Sequence, residues 1–324
     1  MRRSIALAGV ALVAAVVAVP AVAASRTPER VTFASFDRDP ATGMPVPIHA
    51  LLFRPDDSSD ARRPAVVALH GCGGMYSTAK SKRDDLSLRH QAMADLLVAE
   101  GYIVLFPDSF RSRGREEICT IAHAQRKIKQ ANRRLDAQAA LAYLQARPDV
   151  AQDRVAVLGW SHGGSTVLAT LDASEGAVAA WRNRSAPPPY FRAGVAFYPG
   201  CRESLHAGRG FSVAAPLAFF IGGADDWTAP APCIDLARKL AAAGESVTIA
   251  VYPDTYHGFD GPEGQARLRL DVPNGVHPGK GVTVAPNRVA RDDAYARLGR
   301  FLREQLRGGP DSAEAAPTDK PGGR

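Results

Sequence analysis

No two cysteines of this chain stand at C-x-x-C spacing and no two histidines at H-x-x-x-H spacing. No ordinary zinc site is therefore spelled out, and the chain calls for no cofactor. Aromatic residues make up only 7% and are not interleaved with basic ones, which speaks against nucleic acid as a partner. The formal charge of +7 is modest for 324 residues and reads as a solvated surface. No internal repeat occurs, and beyond the N-terminus no apolar run approaches the roughly 20 residues of a bilayer span. What is present, 46% hydrophobic and 23% charged residues, fits one globular catalytic domain with one sizeable core.

The most informative stretch is Gly159-Trp160-Ser161-His162-Gly163. It follows the apolar, β-branched run Val155-Ala156-Val157-Leu158 and precedes the helix-compatible Thr166-Val167-Leu168-Ala169, so Ser161 falls on a strand-to-helix turn. Glycines on both sides leave such a turn free to be sharp, as a serine nucleophile needs. Read alone, Ser161 could also be an ordinary helix cap.

A serine hydroxyl is weakly nucleophilic near neutral pH and needs a general base held by an acid. In this architecture they follow in the order Ser, Asp or Glu, His. The predicted strand 217–222 runs into Gly223-Ala224-Asp225-Asp226-Trp227-Thr228, and the strand 246–252 is followed by His257-Gly258-Phe259. Asp225, three residues after Gly222, is favoured over Asp226 as the acid, and His257 is the base. The strand Ala65–Leu69 opens into His70-Gly71-Cys72-Gly73-Gly74. The amides of Cys72 and His162 are expected to form an oxyanion hole. Trp160, Trp227, Phe259 and Tyr76 are candidates for an apolar pocket. Arg111 and Arg113 are candidates to pair with a substrate carboxylate, the alternative being a salt bridge to Asp108 or Glu116.

Five segments together resemble the dienelactone hydrolase family of the α/β-hydrolases: His70–Gly74, Pro107-Asp108-Ser109-Phe110 with Arg113-Gly114, Gly159–Gly164, Gly222–Thr228 and His257–Phe259. The resemblance spans roughly residues 30 to 307. It implies an Asp–His dyad behind the nucleophile, here Asp225 and His257. The founding enzymes carry cysteine where Ser161 stands, which points away from dienelactone itself and toward small carboxylic esters or lactones. A peptidase of the same fold and an inactive binding protein on the same scaffold are the alternatives.

Strands are predicted near 31–38, 46–54, 65–70, 102–107, 154–159, 193–198, 217–222 and 246–252, alternating with helices. This predicts a mostly parallel eight-stranded α/β-hydrolase sheet covered on both faces, with its site at the C-terminal strand ends. A helix is predicted over Ile121–Gln145, with Lys127, Lys129, Arg133 and Arg134 on polar positions and Leu135, Ala139, Leu141 and Leu144 inward. Another is predicted over 288–306, with Val289, Tyr295, Leu298, Phe301 and Leu302 inward. Residues 173–192, with Trp181, Arg182, Arg184 and Pro187 to Pro189, and residues 258–287 are insertions expected to shape the pocket, the first as a partial lid.

Arg2 and Arg3 precede the apolar run Ile5 to Val19, and Ala21-Val22-Ala23 supplies a small-residue cleavage pattern. Residues 1–23 therefore read as a signal peptide for export to the periplasm or beyond, with no membrane association after cleavage. Losing both arginines lowers the charge to +5. An uncleaved anchor is the weaker alternative, since Gly9 and Pro20 interrupt the run. The domain is placed at 27–307, and 308–324, without apolar period, is expected to be a disordered tail. Export lets cysteines pair. Cys72 and Cys119 follow the third and fourth strands, Cys201 and Cys233 the sixth and seventh, so bridges are predicted between the adjacent loops, Cys72–Cys119 and Cys201–Cys233.

Overall fold

The computed structural model describes residues 27–56, 61–183 and 190–307. The predicted signal peptide, the predicted tail, and Arg184 with Pro187 to Pro189 lie outside the described residues. The chain opens with two strands, β1 (Glu29–Arg38) and β2 (Pro45–Phe53), followed by β3 (Arg63–Leu69), α1 (Leu88–Ala99) and β4 (Ile103–Pro107). Next come α2 (Gln130–Gln145), β5 (Val150–Trp160), α3 (His162–Leu171), α4 (Gly176–Arg182), β6 (Ala193–Phe197) and α5 (Arg202–Leu205). The chain then continues through β7 (Leu217–Gly222), α6 (Pro230–Ala242), β8 (Val247–Tyr252), the short hairpin strands β9 (Arg267–Arg269) and β10 (Val282–Val284), and α7 (Arg288–Arg307).

Eight strands form one sheet in the order β1-β2-β4-β3-β5-β6-β7-β8. β2 runs antiparallel to both neighbours and every other pairing along the sheet is parallel. This is the α/β-hydrolase fold. A central strand such as β3 is buried on both sides, and its side chains alternate between two cores. Ala65, Val67 and Leu69 pack with α2, α3 and α6, while Val66 and Ala68 pack with α1 and α7. That two-residue alternation is why a continuous apolar run suits a parallel strand.

Several predicted details are corrected. The helix predicted from Ile121 begins only at Gln130, behind a short 3-10 turn at His123–Gln125. The Lys129 amide is capped by the Asn132 side chain at 3.0 Å, which fixes the start. Arg133, assigned to a polar position, is wholly buried, because the first turn of α2 lies under the loops of the sheet rim rather than at the surface. Leu135 is only half-buried. In α7 the inward stripe is Ala290, Ala294, Leu298, Leu302 and Leu306, and Val289 is 80% exposed, one step off the stripe. Tyr295 and Phe301 pack at its margin.

Both predicted bridges are present, Cys72–Cys119 and Cys201–Cys233. They tie neighbouring segments at the C-terminal rim, Cys233 lying in the first turn of α6 rather than in a loop, and Cys201 and Cys233 are also buried in the core beside Leu236 and Phe219. Replacing Cys201 and Cys233 together by alanine is expected to cost about 2–4 kcal/mol, read as a lower midpoint in urea unfolding.

Candidate active site

Ser161 sits between the end of β5 and the start of α3 at φ 53°, ψ −116°, a conformation that a residue with a Cβ adopts only under constraint. Its amide donates to the Phe197 carbonyl at 2.9 Å and its carbonyl accepts from the Ser165 amide at 2.8 Å, so both ends of the turn are fixed. The flanking glycines are required by close approach. A Cβ at Gly163 would run into the Leu69 and His70 carbonyl oxygens, and one at Gly159 into the Gly163 carbonyl. Among the described residues the Ser161 hydroxyl has no hydrogen-bond partner.

Asp225 and His257 meet. Nδ1 of His257 donates to Oδ2 of Asp225 at 2.8 Å, and both residues are buried. The other carboxylate oxygen accepts from the Trp227 and Thr228 amides, each at 2.8 Å. The Thr228 hydroxyl lies 2.9 Å from Oδ2 and 3.2 Å from Nδ1 of His257. Asp225 is thereby held rigidly, and His257 presents Nε2 to the cleft. Asp226 does something else: its carboxylate accepts from the amide and hydroxyl of Thr283, each at 2.7 Å, which fastens β10 beside the site.

Ser161 and His257 line one cleft of about 390 Å³, together with Gly71 to Gly74, Tyr76, Tyr198, Trp227 and residues of the second insertion, Arg267, Arg269 and Val284. The Trp227 ring lies 4.7 Å from that of His257. Among the described residues the amides of Cys72 and His162 have no backbone acceptor, and Ile118 donates to the Cys72 carbonyl at 2.8 Å, steadying that loop alongside its disulfide.

Three predicted pocket residues and the lid are placed differently. Arg113 is turned away from the cleft, gripping Asp136 through two bonds of 2.9 and 3.0 Å and Asp37 at 2.7 Å; a buried carboxylate is a stronger claim on it than solvent. Arg111 bonds Asp84 at 2.8 Å and lies 3.8 Å from the centre of the Tyr76 ring, behind the cleft wall. Neither arginine pairs through its side chain with Asp108 or Glu116. Trp160 borders the cleft but is wholly buried, its indole N–H donating to Asp260 at 2.7 Å. Phe259 is core, packed on Phe197, Tyr198 and Tyr252. Among the described residues none of 173–192 lines the cleft, because Val178 and Trp181 bury against the sheet instead.

Sequence reasoning missed Thr228, Tyr198 and Arg133. Thr228 carries a local signal, since an Asp followed three residues later by Thr favours a side-chain-capped turn. Three further histidines near the cleft stay neutral. Burial holds His90 down at about 4. Burial, reinforced by Arg133, holds His70 and His162 well below the ordinary imidazole range.

A profile of the dienelactone hydrolase family matches residues 48–306. The chain belongs to the dienelactone hydrolase family. YtaP of Bacillus subtilis (strain 168), provisionally named a hydrolase, is 32% identical over 108 residues, covering 31% of this chain and 36% of YtaP. Solved structures share the fold at low identity. A Klebsiella pneumoniae protein provisionally assigned as a dienelactone hydrolase superposes with TM-score 0.58 at 15% identity, covering 86% of this chain and all of the other. Esterase 2 of Thermogutta terrifontis superposes with TM-score 0.57 at 13% identity, covering 90% and 96%.

Because Arg113 satisfies the wholly buried Asp136, replacing it by methionine strands a buried carboxylate. Arg113→Met is expected to cost about 3–5 kcal/mol of stability, measured by denaturant unfolding.

Proposed function

We propose that the protein is an exported serine hydrolase that cleaves small carboxylic esters or lactones through an acyl-enzyme. The observation that carries this reading is the His257–Asp225 hydrogen bond of 2.8 Å opening onto the same cleft as a serine held at positive φ. Ser161 Oγ attacks the carbonyl carbon while Nε2 of His257 takes its proton. The carbonyl oxygen, now negative, is stabilised by the Cys72 and His162 amides, each such donor typically contributing about 3–4 kcal/mol. Collapse expels the alcohol, which receives the proton from His257. Water, deprotonated by the same imidazole, then releases the acid and restores Ser161. Asp225 holds Nδ1–H throughout and stabilises the imidazolium. Hydrogen bonds of this kind often close only when substrate binds, in keeping with the open Ser161 hydroxyl.

Trp227 and Tyr76 supply apolar wall for a small acyl or alcohol group. Export is supported by the basic, apolar N-terminus and by two disulfides, which persist in oxidising compartments.

Chromogenic esters graded in acyl length and a fluorophosphonate probe test the reading. The mature protein is expected to hydrolyse the short esters, with Ser161→Ala losing at least about 10³-fold in kcat and all labelling. Equal hydrolysis by wild type and Ser161→Ala would sink it. Asp225→Asn is expected to lose roughly 10⁴-fold in kcat through the wrong imidazole tautomer, whereas Asp226→Asn, which loosens only β10, should lose far less.

A further inference from the structure

The side chain of Arg133, on the first turn of α2, is wholly buried beneath the cleft. Nη1 donates to Nδ1 of His162 at 2.9 Å and Nη2 to the carbonyl of His70 at 2.7 Å. These acceptors belong to the two segments that carry the proposed oxyanion amides: His162 itself, and the loop two residues before Cys72. A guanidinium only donates, so Nδ1 of His162 must accept, and its ring is the neutral Nε2–H tautomer.

No carboxylate among the described residues bonds Arg133, and its Nε has no partner. Asp136, one turn on, is taken by Arg113. Burying an arginine without a bonded counter-ion is costly. Desolvation pushes its pKa down to about 9, which still leaves it charged at neutral pH. Packing alone would be served by an apolar side chain at that position, so the retained charge needs another reason.

We propose that Arg133 is a positioning residue for acyl transfer: it ties the His70–Cys72 loop to the Ser161–His162 turn, setting the two oxyanion amides in register, and places positive charge behind the oxygen that becomes negative. This rests on the hydrolase reading above. It extends that reading from backbone donors to the buried cation that holds them.

The test compares wild type with Arg133→Gln, Arg133→Met and Arg133→Lys in p-nitrophenyl acetate hydrolysis, phenylboronic acid binding and thermal melting. Boron accepts the Ser161 oxygen and becomes a tetrahedral anion, a stand-in for the reaction's own. In the folded neutral variants kcat is expected to fall by about 10–100-fold, with boronate affinity weakened by a similar factor and KM changed less than about threefold. Lys, retaining the charge and able to serve one of the two acceptors, should recover part of the loss. If the neutral variants fail to fold, Arg133→Lys carries the test: its ammonium cannot reach both acceptors, so kcat should drop at fixed KM. A folded Gln variant, or failing that a folded Lys variant, with wild-type kcat and boronate affinity overturns the inference alone. A wild type that neither hydrolyses the ester nor binds boronate overturns the hydrolase reading, and this inference with it.

Discussion

The close backbone contact between the first turn of α3 and the end of β3 is the constraint on which the site depends. Gly163 lies directly against the Leu69 and His70 carbonyl oxygens, with no room for a Cβ. That approach bends the chain so sharply that Ser161 is forced to positive φ. The same contact brings the His70–Gly74 loop alongside the Ser161–His162 turn, and Gly71 to Gly74 and Ser161 line one cleft. Everything else in the site is arranged around this fixed edge. The Phe197 carbonyl holds the turn from the next strand, and Arg133 holds it from below.

Adjacent aspartates divide the work on the other side of the cleft. Asp225 points inward and is saturated by two amides, a hydroxyl and the His257 ring. Asp226 points outward and fastens Thr283. One short loop after β7 therefore orients the imidazole and docks the insertion that bounds the cleft. The insertion returns the favour through Val284, whose strand forms a bridge with His257.

What was legible in the sequence is what short-range chemistry determines. The strands could be read because a buried strand is an apolar run between turn residues, and the placement of Ser161, Asp225 and His257 because each lies in the segment that follows a strand. The bridges could be read because parallel neighbours bring successive loops to one rim. Illegible were the residues whose setting depends on partners far along the chain. Arg113 looked like a substrate contact because nothing local reveals Asp37, 76 residues away. Phe259 looked like a pocket aromatic because adjacency to His257 does not say which face of a loop a ring occupies. Arg133 had the pattern of a surface cation, and only the late start of α2 puts it under the rim. Val289 shows the opposite error, an apolar residue one step outside a stripe of alanines and leucines.

The two disulfides carry a consequence for how the molecule comes apart. Both cross-links join segments at the end of the sheet where Ser161 lies, with sequence separations of 47 and 32 residues. The edge hairpin β1–β2 has no such tether. A chain that loses its core therefore still keeps the loops around the cleft as near neighbours, so regaining the site demands less search than rebuilding the sheet's far margin.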